Sequence, residues 1–378
     1  MRVLASNESL LSGLHEPIGY ESSLVLDDGT LMGGIGFGAD VHAEGELVFT
    51  TAMNGYPESL TDPSYKGQVL VISHPLVGNY GVPEITSRNG IVQNMESEGI
   101  KVSGLVVSEL TSGSGWNSAK TLDSWLKENG IPGISGVDTR SLIKRIRNLG
   151  ASSCAIIPGK GSKSTSAYRY DSINFAESVS PREHMVHDFG SRDNIVIVDF
   201  GVKHGILRSV SRLGYNIIRV PYNYTEKQIL SFSPAGIVYS NGPGNPNLLS
   251  ESAKTLGKVL ENSIPTLSIC LGHQLTVLSM GGRIRKMRSG HRAINKAVVD
   301  TSSGRSYITT HNHGYAAYAE DVPEDIERWF ISPDDNVVEG IRGKNLLSVQ
   351  FHPESGPGTA DAEFIFKHFE RMMRLEAK

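Results

Sequence analysis

Cys270 is the residue whose type and setting point most directly to chemistry. It ends the apolar run Thr266-Leu267-Ser268-Ile269 and precedes Leu271-Gly272-His273-Gln274, where a helical pattern opens. A corner between strand and helix lifts a side chain off the edge of a sheet and sets it at the positive end of the helix. Both effects favour the thiolate, the nucleophilic form of a cysteine. Taken alone, a cysteine is more often a small buried apolar residue. A second segment weakens that alternative. Leu347-Ser348-Val349-Gln350-Phe351 reads as a strand, and His352-Pro353-Glu354 follows it. The proline fixes the local backbone and leaves both polar side chains just beyond the sheet. There a neutral His352 takes the proton of Cys270, while Glu354 holds and polarises the imidazole. Without the cysteine, the same tripeptide reads as a surface turn.

Two further segments belong to this constellation. The strand Gly236-Ile237-Val238-Tyr239 runs into Ser240-Asn241-Gly242-Pro243-Gly244-Asn245-Pro246. Glycines there let backbone N–H groups approach a substrate closely, as an oxyanion hole requires. The alternative is a loop that is merely rich in turn formers. Thr309-Thr310-His311-Asn312-His313-Gly314-Tyr315 is open to the same plain reading, a turn. Its histidines invite a metal site, but no carboxylate or thiol accompanies them at a spacing specific to one, and the expectation is no metal.

Such residues need a frame that gathers distant strand ends. From Ile195 onward the rhythm is strand, turn, helix: strands over 195–198, 216–220, 236–239 and 266–269, helices over 206–213, 251–261 and 271–280. This alternation predicts an α/β unit, a mostly parallel sheet flanked by helices, with ligands beyond the carboxyl ends of its strands. The first half differs. Ser23 to Leu26, Gly45 to Thr50, Gln68 to Ile72 and Val102 to Val107 are short runs bounded by Gly, Asp and Pro, and read as strands joined by turns. Helical pattern appears there over 118–129 and 139–149. A smaller mixed α and β domain therefore precedes the α/β one. Between Gly159 and Arg192 the chain turns polar, as an exposed connection does, and the boundary falls near Ser191. The two domains are then 1–191 and 192–378.

Bulk properties exclude several classes. The 378 residues exceed the length at which one core usually stops growing. With 39% hydrophobic and 20% charged residues the composition is that of an ordinary soluble protein. Mean hydropathy is -0.19 and no apolar run reaches transmembrane length, so no membrane association is expected. A net charge of -4 leaves no basic footprint for nucleic acid, despite the local patch Arg283-Ile284-Arg285-Lys286. The first residues lack the apolar segment and cleavage site of a secretory signal, which predicts a cytoplasmic protein. Cys154 and Cys270 are then expected to be free thiols.

Taken together, Ser240-Asn241-Gly242-Pro243-Gly244, Ile269-Cys270-Leu271-Gly272-His273-Gln274, Asn312-His313-Gly314 and Phe351-His352-Pro353-Glu354 closely resemble the class I glutamine amidotransferase family, in the expected order and from Asn194 to about Leu375. The first half selects among the synthases that family serves. Leu26-Asp27-Asp28-Gly29-Thr30, Gly45-Glu46-Leu47-Val48-Phe49, Met53-Asn54-Gly55-Tyr56, Leu60-Thr61-Asp62-Pro63-Ser64-Tyr65 and Gly136-Val137-Asp138-Thr139-Arg140 are similar to the amino-terminal domain of carbamoyl-phosphate synthase small subunits. Asp199-Phe200-Gly201 and Leu207-Arg208 fit as well. The first twenty residues look like an extension without an assigned role.

The resemblance implies roles residue by residue. Cys270 is the nucleophile, His352 the base and Glu354 its partner; backbone N–H groups of Gly242 and Leu271 stabilise the oxyanion; Gly244, Gln274, Asn312, Gly314 and Tyr315 hold L-glutamine. It implies a heterodimer in which ammonia passes to a large subunit that uses ATP, Mg and bicarbonate to make carbamoyl phosphate for arginine or pyrimidine synthesis. This chain needs no cofactor of its own, and it lacks a Gly-x-x-x-x-Gly-Lys-Ser/Thr loop. Two positions depart from the family pattern. Ser268 stands where a glycine commonly lies two before the nucleophile, which predicts a slightly adjusted turn. Ala52 stands where many small subunits carry a serine that contacts glutamine, and no side-chain role is expected for it. Rival readings are an amidotransferase feeding another synthase, a scaffold that activates its partner without hydrolysing glutamine, and a cysteine peptidase. The first-half motifs oppose the first, and the intact Cys270, His352 and Glu354 oppose the second.

Overall fold

A computed structural model describes residues 19–160 and 168–376, except 112, 114 and 116. Most of the amino-terminal extension and the Gly-Lys-Ser tract of the polar connection lie outside the described residues.

The first unit is a closed barrel of seven strands in the order Tyr20–Leu26, Ser152–Pro158, Ala43–Thr50, Gln68–Ile72, Gly104–Val106, Pro132–Ser135, Leu31–Gly38. Its wall is mixed. Ala43–Thr50, Gln68–Ile72, Gly104–Val106 and Pro132–Ser135 run parallel, and the other pairings are antiparallel. Leu24, Leu26, Leu47, Val69, Val71, Val106 and Ile156 pack with Cys154 in one core cluster. Cys154 is wholly buried, and burial pushes its thiol far up, so it serves as a small apolar residue. Both cysteines are free.

The segment 118–129 corrects one expectation. Ser118–Lys120 is a short strand against Val82–Pro83, and the helix begins only at Leu122 and ends at Glu128. The reason is local: the Thr121 side chain accepts a hydrogen bond from the Ser124 N–H, an N-cap that fixes the first turn.

The second unit is built on a ten-stranded sheet. Its centre is five parallel strands, in the order Asn216–Pro221, Asn194–Asp199, Pro234–Tyr239, Thr266–Ile269, Leu346–Val349. Alternation explains the continuous apolar runs. Ile195 and Ile197 join the cluster under helices His204–Ser211 and Phe364–Glu376, while Val196 and Val198 join the cluster under Ser250–Glu261 and Leu271–Ser279. Both faces are covered, so neither can be polar.

Beyond Leu346–Val349 the sheet continues antiparallel through Val338–Gly343, Glu327–Ile331, Arg285–Asp300 and Ser306–Ala316. The segment Thr309 to Tyr315, open to reading as a turn, is therefore the middle of a strand. The register sets His291 opposite His313 and Arg292 opposite Asn312.

Candidate active site

Cys270 sits where the strand Thr266–Ile269 passes into the helix Leu271–Ser279, with φ 55° and ψ -101°. A non-glycine residue rarely takes such a conformation, and it persists only when its surroundings over-determine it. They do so here. The Cys270 N–H donates to Val349 O at 2.8 Å, and the Gly272 N–H donates to Ser240 O at 3.0 Å. Gly272 has no alternative, since a Cβ there would lie 2.3 Å from Tyr239 O. Ser268 is wholly buried, and its hydroxyl lies 2.9 Å from that of Thr276 in the helix Leu271–Ser279. As the first helical residue, Leu271 presents an N–H that the helix cannot satisfy internally.

His352 and Glu354 follow the strand Leu346–Val349 on the adjacent strand end. His352 Nδ1 is 2.7 Å from Glu354 Oε1, and both side chains are fully buried. The other ring nitrogen has no hydrogen-bond partner among the described residues. Cys270 acts on that ring electrostatically, while its sulfur makes its own polar contact with Asn312 O at 3.8 Å. Burial works against a charged imidazole, but Glu354 and then Cys270 outweigh it and lift His352 to about 10. Burial also penalises the Glu354 carboxylate, yet Lys203 and then His352 hold it down at about 2.

Lys203 was not singled out by motif. Its Nζ lies 2.9 Å from Glu354 Oε1 and donates to Ser355 O at 2.7 Å, with only 2% of the side chain exposed. Asp199 positions it. One carboxylate oxygen accepts the N–H groups of Gly201 and Val202 at 2.8 and 2.7 Å, and the other accepts Arg219. The signal in sequence was a lysine just past the carboxyl end of a parallel strand, where such folds place functional groups. Removing Lys203 takes from the buried Glu354 carboxylate the first of its two charged partners and leaves it only His352. Lys203→Met is expected to cost about 3–5 kcal/mol of unfolding free energy at neutral pH, measured by urea denaturation. A loss below about 1 kcal/mol would mean the pair behaves like an exposed one.

In front of Cys270 lies a narrow cleft. Gly242, Gly244, Cys270, Gln274, Asn312, Gly314 and Tyr315 all line it. His352 instead faces a small adjoining cavity shared with Lys203, Asp62 and Asn312. Some polar groups in the cleft are already engaged. Gln274 Nε2 donates to Tyr315 O at 2.8 Å and to Gln350 Oε1 at 3.1 Å, and Asn312 Nδ2 donates to Asp62 Oδ2 at 2.9 Å. Gly242 is packed too tightly for a side chain, because a Cβ would meet Phe200 O at 2.4 Å.

The cleft is not built by the second unit alone. Glu46, Ser64, Gln68 and Ala151 come from the first, and Tyr170 from the connection, where its hydroxyl accepts the Gly244 N–H at 3.0 Å. Lys286 closes the rim, with its ammonium 2.7 Å from both Glu46 Oε1 and Asp171 Oδ1. Ala52 does not reach this cleft and lines the neighbouring cavities. Ser64 does reach it, its hydroxyl accepting from Asn241 Nδ2 at 2.9 Å. The only hint of that contact in the sequence was the segment Leu60 to Tyr65.

Comparison with known proteins follows the same division. Residues 24–156 match the family described as carbamoyl-phosphate synthase small chain, CPSase domain, and residues 196–372 match glutamine amidotransferase class-I. The carbamoyl phosphate synthase small chain of Metallosphaera sedula is 52% identical over 360 residues, covering 94% of this chain and 97% of that one. Small chains of the same name from Sulfolobus acidocaldarius and Sulfurisphaera tokodaii are 52% and 50% identical, covering 92% and 95% of this chain and 95% and 98% of their own length.

Proposed function

The chain belongs to the carbamoyl-phosphate synthase small-chain family, and from that premise we propose that it hydrolyses glutamine at Cys270 and passes the ammonia to a large subunit. The observation that carries this reading is the corner at Cys270, strained at positive φ, lining the cleft and acting on the buried His352–Glu354 pair of the adjoining cavity. The Cys270 sulfur attacks the side-chain amide carbon of glutamine as a thiolate, its proton residing on His352 Nε2. The tetrahedral oxygen takes its negative charge in front of the Gly242 and Leu271 N–H groups. His352 returns its proton to the leaving nitrogen, the C–N bond breaks, and ammonia departs from a glutamyl thioester. His352 then removes a proton from water, which attacks the thioester and releases glutamate and Cys270.

Gly244, Gln274, Asn312, Gly314 and Tyr315 hold the glutamine in this reading, and the Ser64 hydroxyl in the cleft offers the side-chain contact that Ala52 cannot. Membership in the family supports a large-subunit partner that binds ATP and Mg and activates bicarbonate. Among the described residues no helix is long and apolar enough to cross a membrane.

The test is direct. Cys270→Ser is expected to lose glutamine hydrolysis, because a hydroxyl ionises far less readily than a thiol in the same setting. Acid quenching of the wild-type enzyme during turnover should trap a glutamyl adduct on Cys270, detected by mass spectrometry. Turnover retained by the serine variant, or an adduct on another residue, would remove Cys270 from this role.

A further inference from the structure

Behind the strand that carries Asn312, three histidines and a carboxylate meet out of solvent. His291 comes from Arg285–Asp300, His311 and His313 from Ser306–Ala316, and Glu339 from Val338–Gly343. All four are buried, and one ligating atom from each lies within 4.8 Å of the others. The separations are His291 Nδ1 to Glu339 Oε1 3.2 Å, His311 Nδ1 to His313 Nε2 3.3 Å and His311 Nδ1 to Glu339 Oε2 3.6 Å. Donors held at about 2.0–2.2 Å around a tetrahedral zinc stand about 3.3–3.6 Å apart. These three separations are already close to that spacing, with Glu339 reaching His291 through Oε1 and His311 through Oε2, and the four donors together need only draw in from 4.8 Å.

Outer contacts complete the pattern. A histidine that ligates a metal commonly donates its other ring N–H to a carboxylate, a carbonyl or a hydroxyl, which fixes the tautomer. His291 Nε2 is 2.8 Å from Asp335 Oδ2, His313 Nδ1 is 2.9 Å from Tyr315 O, and His311 Nε2 is 2.7 Å from Thr309 Oγ1. The Thr309 hydroxyl lies 2.9 Å from Lys296 O in donating geometry, which leaves it to accept from His311. His311 and His313 then turn two lone pairs toward each other with no proton between them. Glu339 adds a second mismatch, for its Oε2 is wholly buried and accepts no hydrogen bond. An orphaned buried carboxylate oxygen is costly unless a cation meets it.

We propose that His291, His311, His313 and Glu339 form a closed zinc-class divalent cation site that clamps three strands of the antiparallel extension. Four protein donors leave no open position, so the site is structural. Imidazole and carboxylate donors suit zinc better than calcium or magnesium, which prefer all-oxygen shells. Side chains alternate across a strand, so His311 and His313 point away from the face that carries Asn312. A bound ion would therefore fix, from behind, the backbone that presents Asn312 O to Cys270.

The test uses the full chain, purified without a polyhistidine tag from zinc-supplemented culture, and reads metal rather than turnover. Elemental analysis is expected to give one zinc per chain, and cobalt exchanged into the apoprotein should show the visible absorption of a tetrahedral ion. His311→Gln and Glu339→Gln are each expected to weaken binding by at least about 10²-fold. Asp335→Asn, a change outside the donor set at a partly exposed residue, should weaken it about 10- to 100-fold in a chain whose circular dichroism is unchanged. A folded apoprotein that takes up neither zinc nor cobalt at micromolar concentration would overturn the proposal. So would binding that survives His311→Gln, or imidazole ¹⁵N shifts placing a proton on His311 Nδ1 in the presence of zinc. None of these readings involves glutamine, so they stand or fall apart from the reaction assigned to Cys270.

Discussion

In complex with a large subunit, Cys270→Ala is expected to lose carbamoyl-phosphate synthesis from glutamine and to keep synthesis from added ammonium salts. The proposed reaction divides the labour between the two chains. Cys270 lines the cleft, the buried His352–Glu354 pair stands by the adjoining cavity, and backbone donors lie at a helix start, the set that the proposed amide hydrolysis requires. The sequence has no phosphate-cradling Gly-x-x-x-x-Gly-Lys-Ser/Thr loop. Deleting the nucleophile removes at least about 10³-fold of the glutamine-dependent rate. In the proposed reaction added ammonia bypasses that step and reaches the partner without it. The purified pair assayed with both nitrogen sources decides the matter. Loss of both activities with assembly intact would mean that this chain takes part in the synthase reaction itself.

A related truncation is less clean than the sequence suggests. Residues 1–191 read as a separate domain, so removing them should abolish glutamine-dependent synthesis while the second unit still folds. The structure sets Glu46, Ser64 and Gln68 of the barrel into the walls of the cleft. Asp62 accepts from Asn312 Nδ2 at 2.9 Å, and Glu96 pairs with Arg208 at 2.7 Å. Glutamine affinity and partner docking would fall together on truncation. Surface substitutions on the barrel, away from these residues, are the better probe of docking.

What was legible in the sequence followed from periodicity and from chemistry concentrated at strand ends. The five parallel strands are apolar because both faces are covered, and each ends near a loop with a distinctive composition. Cys270 and the His352–Glu354 pair were legible for the same reason. Contacts made by residues distant in sequence were not. Lys203 touches Glu354 across 151 positions, and Ser64 touches Asn241 across 177, so a local pattern can mark either residue's place but not its partner. The Asn312 segment was misjudged as an open choice because Thr, His and Asn are frequent in turns, whereas its long antiparallel pairing with Arg285–Asp300 decides the backbone. The same blindness hid Glu339, whose carboxylate reaches the histidines only through sheet order.

His352→Asn is expected to be nearly as damaging as loss of Cys270, and Glu354→Gln to be milder by roughly 10²-fold, the ratio by which orienting carboxylates trail their bases in triads. In the proposed reaction His352 carries the proton in both halves, whereas Glu354 only sets its ring and charge. The same pair gives a second, independent reading in stability. Burial opposes charge on His352, but Glu354 above all lifts it to about 10, well over the ordinary value of about 6.5. A group raised on folding stabilises the native state fully below its unfolded pKa and loses that contribution as the pH rises through the folded one. Glu354, held at about 2 by Lys203 and His352 against burial, contributes above about 4.3 and loses that only toward about pH 2. The stability gap between wild type and Glu354→Gln should therefore be widest between about pH 4.3 and 6.5 and shrink as the pH climbs toward about 10. Urea denaturation at pH 6 and pH 10 measures it. A gap that widens with pH would mean that Glu354 does not hold the proton on His352, and the base would have to be sought elsewhere.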